Sequence, residues 1–295
     1  MNLFRRAWRV QVGSLDVSDL AIRFKAKRTL AARAGTLDLE IRNLSPEHRR
    51  EIQNARRFHT FVEVHAGYVG GMSLIFRGDL RKAVPGREGT DWLVKVTAGD
   101  GEHAIRSTRV SRSFAPGTTV TAVVTHLAEA MGVGIGNARE ALRGASLGTA
   151  GLLGDTFAEG TVVYGNAAAE LTRLCESARK TWSIQEGNLQ ILPLGGSLTR
   201  TAILLSPGTG MVGTPEVVSR RVITVKALLQ PGLVPGQQVV VQSDALLSVA
   251  PWRITEAEYS GDTHGTDWYA TLTCHRPRPP LVSGTVGTTG TTGAS

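Results

Sequence analysis

Along the first hundred residues apolar and polar positions alternate with a period of two. From Leu20 to Lys27, Ile22, Phe24 and Ala26 fall on one face, and Arg23, Lys25 and Lys27 fall on the other. Thr36 to Ile41 alternates in the same way, as expected for a sheet with one buried face. Asn43-Leu44-Ser45-Pro46 then breaks the pattern. Ser45 is placed to cap a helix with Pro46 at its first position, which predicts a helix to about Arg57. Phe58 to Ala66 and, more loosely, Met72 to Leu80 return to period two, joined by a turn at Tyr68 to Gly71. Pro85 to Gly89 is expected to be a loop, and Asp91 to Ala98 a further strand. Residues 1–111 thus read as a β-rich unit with one helix, a barrel or strongly curled sheet.

The period changes over residues 112–196. From Thr118 to Met131, Val120, Val123, Val124, Leu127 and Met131 recur at helical spacing, and Gly132 ends the run. A second helix is predicted from Asn166 to Lys180, with Asn166 as cap and Leu171, Leu174, Cys175 and Ala178 on one face. Two short strands follow, Thr181 to Gln185 and Asn188 to Leu192, turning at Glu186-Gly187. The Gly- and Ala-rich stretch 132–165 carries no clear assignment. This part is a small α+β domain. Residues 197–276 return to strands at Val222 to Ala227, Gln237 to Gln242, Trp252 to Tyr259 and Trp268 to Cys274. The tail, 277–295, is Gly/Thr-rich and is expected to be flexible.

Gly89-Thr90-Asp91-Trp92 recurs as Gly265-Thr266-Asp267-Trp268, 176 residues later, and each copy opens a strand. The same offset sets Phe76-Arg77 against Trp252-Arg253. This echo points to duplication of a β-unit, with Trp92 and Trp268 as core anchors.

Composition narrows the classes. The chain has 295 residues, 41% of them hydrophobic, and 34 glycines. No apolar run approaches the length of a membrane-spanning helix, and the start lacks the apolar segment of a signal peptide. Two cysteines, Cys175 and Cys274, cannot build a disulfide framework and read as buried small hydrophobes. The net charge is +8. Residues 1–60 hold thirteen Lys/Arg against six Asp/Glu, nearly the whole excess. That segment is either a solvated basic face or a docking surface.

The search for chemistry-bearing motifs assigns no catalytic residue, no metal site and no cofactor site. Gly208-Thr-Gly210-Met-Val-Gly213 matches a dinucleotide-binding pattern, but Thr214-Pro215 follows where a helix should open. Gly132-Val-Gly134-Ile-Gly136 follows a helix instead of a strand. Gly144-Ala-Ser146-Leu-Gly148 matches a nucleophile elbow without the strand that must precede it, so Ser146 reads as a loop serine. His48 with Glu51 and His126 with Glu129 are expected to be helix-surface ion pairs. Asp262, His264 and Asp267 read as a turn.

Several segments together resemble the central baseplate hub proteins of contractile-tailed bacteriophages and related injection machines. They are LEIRNLSPEHRREI from Leu39, GYVGGMSLIFRGDLRKA from Gly67, and the run from GTDWLVKVTAGDG to SFAPG and the helix ending at Gly132. WSIQEGNLQILP from Trp182 follows, and then LLQPGLVPGQQVVVQS and WRITEAEYSGDTHGTDWYATLTC. The resemblance covers about residues 20–275 and rests on their order. It implies a β-rich α+β fold: tail-tube-like β-barrel domains at 1–111 and 197–276 flanking the small α+β domain at 112–196. It also implies a homotrimer whose six barrels form a ring joining a six-fold tail tube to a three-fold central spike. Such a ring contacts other baseplate proteins and surrounds a channel through which DNA passes without sequence-specific binding, with no membrane anchor. The implied setting is a virion tail baseplate assembled in the host bacterial cytoplasm and used in genome ejection. Within that frame the basic surplus is expected to dock against acidic neighbours. The alternatives are another tube-like tail component, such as a distal tail or tube-terminating protein, or a tail protein that binds cell-wall glycan through the hairpin bearing Trp182. A basic nucleic-acid-binding protein is a further class, but the aromatics are few and not interleaved with the arginines.

Overall fold

The computed structural model describes residues 5–143, 152–153, 155–198, 202–244 and 251–277. The first segment contributes strands β1 (Arg6–Val12), β2 (Leu15–Asp16), β3 (Ile22–Thr29) and β4 (Gly35–Arg42), helix α1 (Pro46–Asn54), and strands β5 (Phe61–Tyr68), β6 (Ser73–Glu88) and β7 (Asp91–Asp100). The middle segment adds α2 (Glu102–Ser107), β8 (Arg109–Phe114), β9 (Thr118–Thr119), α3 (Val120–Ala130), α4 (Ala138–Leu142), β10 (Leu152–Leu153), β11 (Thr156–Phe157), β12 (Thr161–Asn166), α5 (Ala167–Ser177), β13 (Lys180–Gln185) and β14 (Asn188–Pro193). The last adds β15 (Ala202–Leu205), β16 (Met211–Ser219), β17 (Val222–Leu228), β18 (Gln238–Val241), β19 (Pro251–Asp262) and β20 (Trp268–His275). The fold is β-rich with few helices.

The alternating segments fold as their pattern requires. On β3, Ile22, Phe24 and Ala26 are buried while Arg23 and Lys25 are exposed. Ser45 caps α1 by accepting from the His48 amide, and Pro46 occupies the first turn, but the helix ends at Asn54, short of Arg57. Both predicted middle helices form, capped by the side chains of Thr119 and Asn166. The segment Pro85 to Gly89 is largely strand. β6 runs on to Glu88 and only Gly89-Thr90 turn. Proline is tolerated there because, among the described residues, β6 has a partner on one side only along that stretch, so no donor is needed on the other.

Thirteen strands join into one sheet in the order β16-β17-β20-β19-β3-β4-β7-β6-β5-β1-β2, with β18 beside β19 and β15 beside β18. All pairings in it are antiparallel except β15 with β18. One hydrophobic core, from Val10 to Cys274, draws on both the first and the last segment. A second, from Ala104 to Ile191, belongs to the middle segment.

The first and last segments repeat one layout. The order β3-β4-β7-β6-β5 matches β16-β17-β20-β19-β18, in the same chain order. A bulge interrupts β6 against β7 between Leu80 and Lys82, and an equivalent bulge interrupts β19 against β20 between Ile254 and Glu256. Thr97 faces Lys82, and Thr273, 176 residues on, faces Glu256. The ladder therefore sets Trp252-Arg253 against Gly78-Asp79, not against Phe76-Arg77 as the constant offset suggested. The second hairpin's loop is longer, which changes the offset on its first strand.

The two units meet where β3 pairs with β19, Arg23 opposite Asp262 through Thr29 opposite Glu256. Across this seam Lys25 reaches Glu258 at 2.9 Å, Lys27 reaches Glu256 at 2.9 Å and Arg23 reaches Asp262 at 3.1 Å. Arg33 adds a contact to Glu256 at 2.7 Å. Much of the N-terminal basic surplus is thus matched within the chain by acids of the last segment. Such exposed pairs contribute little each, about 0–1 kcal/mol, and they set opposite charges against one another along the whole seam.

Beneath the seam lies Trp268, 1% exposed. Its ring meets Phe24 edge-on at 5.7 Å and Trp8 at 6.0 Å, and its indole N–H donates to the Gly67 carbonyl at 3.2 Å. Gly261, paired with Trp268, makes this possible. A Cβ there would lie 2.4 Å from the Phe24 ring and 2.9 Å from the Trp268 ring. Trp92 does not follow. It is 36% exposed, with Arg87 in the place of Gly261. Its ring is stacked by Arg87 at 4.6 Å and Arg49 at 3.8 Å. The expectation of two core anchors holds for Trp268 alone.

Replacing Trp268 by Ala is expected to cost about 3–5 kcal/mol, because it empties a core site and orphans the Gly67 carbonyl. Trp92→Ala is expected to cost under about 1 kcal/mol. Denaturant unfolding of the two variants checks the contrast.

Candidate functional site

The polar groups withdrawn from water gather where the middle segment meets the first unit. The β13–β14 hairpin turns at Glu186 and Gly187, both with positive φ (57° and 77°), the conformation of a tight two-residue hairpin turn. This turn is pressed against the end of β7. Asp100 accepts from the Glu186 amide at 2.9 Å and the Gly187 amide at 3.3 Å. From β3, the buried Arg28 donates to the Gln185 side chain at 3.0 Å, to Glu186 at 2.8 Å and to the Ile75 carbonyl at 3.4 Å. Gln185 in turn donates to the Thr29 carbonyl at 2.8 Å. A buried charge is tolerated only when paired and hydrogen-bonded, and Arg28 is both. Burial pushes the Asp100 carboxyl up to about 7, against the lowering pull of the two amides and of Arg28.

Beside this contact opens a cleft of about 430 Å³, walled by Phe58, Phe61, Met131 and Val133, with His59, His103, Asp79 and Asp100 among its polar lining. Phe58 holds a left-handed φ of 60°, a conformation that costs energy in a bulky residue. Its ring stands 5.8 Å from that of His103, which lies 6.5 Å from His59. Burial raises the Asp79 carboxyl above the usual range, opposed by His103. Clustered perturbed carboxyls in a cleft are the ordinary mark of a functional site. Here, however, both oxygens of Asp100 are spent on the hairpin amides. Asp100 and Arg28 thereby anchor the middle segment on the sheet. Among the described residues no three His, Cys, Asp or Glu are grouped to hold a metal ion, and no helix is long and apolar enough to cross a membrane.

The residues singled out in the sequence are dispersed. Gly208 to Gly213 runs from a 3-10 turn at Pro207–Thr209 directly into β16, a strand where a dinucleotide site needs a helix. Gly134 packs on the hairpin, its amide donating to the Gly187 carbonyl and its carbonyl accepting from Leu189. Ser146 lies outside the described residues. Glu51 accepts from Ser14 at 3.4 Å rather than from His48. His126 sits 3.0 Å from the Arg112 guanidinium and against the Phe114 ring rather than beside Glu129. The two expected helix-surface ion pairs are therefore not the contacts made.

The loop at Asp262 is a turn, as read. The Asp262 carboxyl accepts from the amides of His264 and Gly265. Burial works to raise it, but these amides and Arg23 prevail and hold it below its usual value. Cys175 and Cys274 are both buried, and desolvation pushes each thiol up to about 12, which makes them inert hydrophobes as expected. Trp182 is buried in the middle core with its indole N–H donating to Thr172 at 3.0 Å. It has no free face for a sugar ring, which removes the feature that suggested glycan binding.

Sequence reading missed Arg28, Asp79 and Asp100. The visible signals were an arginine on the alternating strand β3 at a position continuing the apolar row, and the Gly99-Asp100-Gly101 run, which places a carboxyl where backbones approach closely.

No family model matches the chain, and no curated protein matches it. Solved structures do. The tail protein from Neisseria meningitidis MC58 is similar with a TM-score of 0.62 and 11% identity, over 92% of this chain and 97% of that one. The 43 kDa tail protein of prophage MuSo2 from Shewanella oneidensis gives 0.61 and 12%, over 92% and 98%. The E. coli c3393 protein gives 0.51 and 13%, over 94% and 78%; it is a type VI secretion system component with structural similarity to the T4 bacteriophage tail proteins gp27 and gp5. The chain thus has the fold of phage tail proteins.

The two classes of carboxyl give stability opposite pH dependences. Asp100 is raised from 3.8 to about 7, so the folded state binds its proton more tightly than the unfolded chain does. Its contribution is fullest below about pH 4 and declines as pH rises toward 7, by at most about 1.4 kcal/mol per pH unit. Asp262, Glu256 and Asp16 are held low, and their contribution is lost as pH falls below about 4. Asp100→Asn is expected to flatten the decline between pH 4 and 7 and to leave the acid limb in place, as read by chemical denaturation across that range.

Proposed function

We propose that this chain is a structural component of a phage-type tail, and specifically the central baseplate hub. In this reading two barrel-like units per chain, 1–111 and 197–276, flank the module 112–196. Three chains close a ring of six units between the tail tube and the central spike, with DNA passing through its channel. The protein works in the virion tail after assembly in the bacterial cytoplasm, and carries no catalysis of its own. The observation that carries the reading is the duplicated unit fused edge to edge in one sheet, within a fold shared over about nine-tenths of the chain with tail proteins. A hub needs two tube-like units per chain to meet a six-fold tube with three copies.

The same fold also suits a distal tail or tube-terminating protein, and the duplication favours the hub. The polar cleft supports a rigid mount for the module, not a reaction centre. The basic N-terminal segment offers less to nucleic acid than its composition suggests, since Arg9, Arg23, Lys25, Lys27, Arg28, Arg33 and Arg42 are all paired with carboxylates.

Electron microscopy of assembled tails is expected to place the chain as a three-fold ring of six similar units at the tube's end. Its absence from tails, or its presence as six copies around the tube, would contradict the hub assignment.

A further inference from the structure

The cleft beside the hairpin joint holds a buried carboxylate without a countercharge. Asp79 lies on β6, paired with Phe61 of β5 and with Gly99 of β7. Its neighbour pair, Gly78 with Val62, faces the core, so Asp79 and Phe61 leave the sheet on the other face, toward the middle segment. Asp79 is only 8% exposed and lines the cleft of about 430 Å³.

The arginines gathered at the joint are committed elsewhere. Arg28 is held by Glu186, Arg77 by Glu63, and Arg81 and Arg106 by Glu102. Asp100 spends its oxygens on the hairpin amides. Asp79 receives nothing comparable. Among the described residues its carboxyl enters no ion pair, and it accepts from the His103 amide. The charged and titratable groups that face it are His103 and Glu102 from α2 and His59 from the turn before β5. Glu102 repels it, and the two imidazoles balance it only when protonated. A carboxylate withdrawn from water and left unpaired is costly, and the cost is recovered when a cation arrives.

The walls suit an apolar stem. Phe58 and Phe61 are 38% and 47% exposed at the cleft, and Met131 and Val133 add to the apolar lining. Arg77 already lays its guanidinium over the Phe61 ring at 4.9 Å. Among the described residues no cation covers the Phe58 ring, which offers the same kind of face.

We infer that this cleft binds an ammonium or guanidinium head carried on a short methylene stem, the head pairing with Asp79 and the stem lying against Phe58. An anionic ligand would meet Asp79, Asp100 and Glu186 together, and a neutral one would leave Asp79 unpaired. Two sources carry such a group: the Lys or Arg side chain of a neighbouring protein, and a free alkyl diamine. The inference goes beyond the hub reading and does not depend on it.

Titration of the full chain followed by NMR at the Gly101 and His103 amides tests it. The probes are N-acetyl-arginine amide, diaminobutane and the uncharged N-acetyl-norleucine amide. Saturable shifts are expected with a cationic probe and not with the norleucine one. Shifts with the arginine probe alone assign the group to a neighbouring protein, shifts with the diamine alone assign it to a free amine, and shifts with both show that the head group is what the cleft reads. Asp79→Asn keeps the shape and removes a charge that burial already disfavours. It is expected to weaken binding about tenfold or more without lowering the melting temperature. Phe58→Asn, a residue that tolerates the left-handed φ of 60°, is expected to weaken binding with the fold kept. Affinity is expected to fall as pH is lowered, because protonating Asp79 removes the anion and protonating His59 or His103 supplies a competing cation. No saturable shift with either cation, equal shifts with the norleucine probe, or binding undiminished by Asp79→Asn would overturn the inference.

Discussion

A single antiparallel pairing, β3 against β19, makes one body out of what the chain order presents as two separated units. More than 220 residues lie between these strands, and the seam closes the largest loop in the sheet. Closing so long a loop has a substantial entropic cost, which local contacts cannot offset. The seam answers it with three stacked resources. The backbone ladder satisfies what would otherwise be two open edges. The outward ion pairs set opposite charges against one another along it. The inward side presents Trp268, Phe24 and Trp8 to one another over Gly261, and the hydrophobic cores of the two units become continuous there. Each resource is modest or local alone, and they coincide along the same few residues.

The middle segment depends on this arrangement at one remove. It has a core of its own, and its attachment includes the hydrogen bonds of Arg28 and Asp100. Arg28 lies on β3, the seam strand itself, and Asp100 ends β7, two strands away. The polar cluster there is buried and its carboxyls are raised, and within it Asp100 and Arg28 hold the hairpin turn.

Much of this fold was legible in the sequence, for reasons that can be named. Period-two alternation marked β3, β4 and the strands of the last segment because each has one wet face. The caps at Ser45 and Asn166 marked helix starts because their side chains do specific work on backbone amides. The sequence pattern ends β6 near Leu80 because Pro85-Gly86 normally punctuates, yet the strand continues where, among the described residues, it has β7 alone as a partner. β1, β8, β12, β15 and β16 went unassigned because they are short, or exposed on both faces, or mixed in pattern. The repeat was visible in Gly-Thr-Asp-Trp, yet the fates of the two tryptophans were not. They are decided by one cross-strand neighbour, Gly261 in one unit and Arg87 in the other, and by which unit lies alongside. The basic surplus misled for a similar reason, since composition counts charges and cannot show that Glu256, Glu258 and Asp262 return to meet them. No polar cluster of the joint was foreseen, because Arg28, Asp79 and Asp100 become a group only once the long-range pairing is made.

The central claim is that the two β-units are one cooperative body sewn at β3–β19. Native-state hydrogen exchange of the full chain tests it directly. The account predicts that amides of Ile22–Thr29 and of Glu256–Asp262 exchange together, with the free energy of global unfolding and with the same denaturant dependence. Exchange of the two strands through separate openings, each with its own unit and well below the global value, would contradict it.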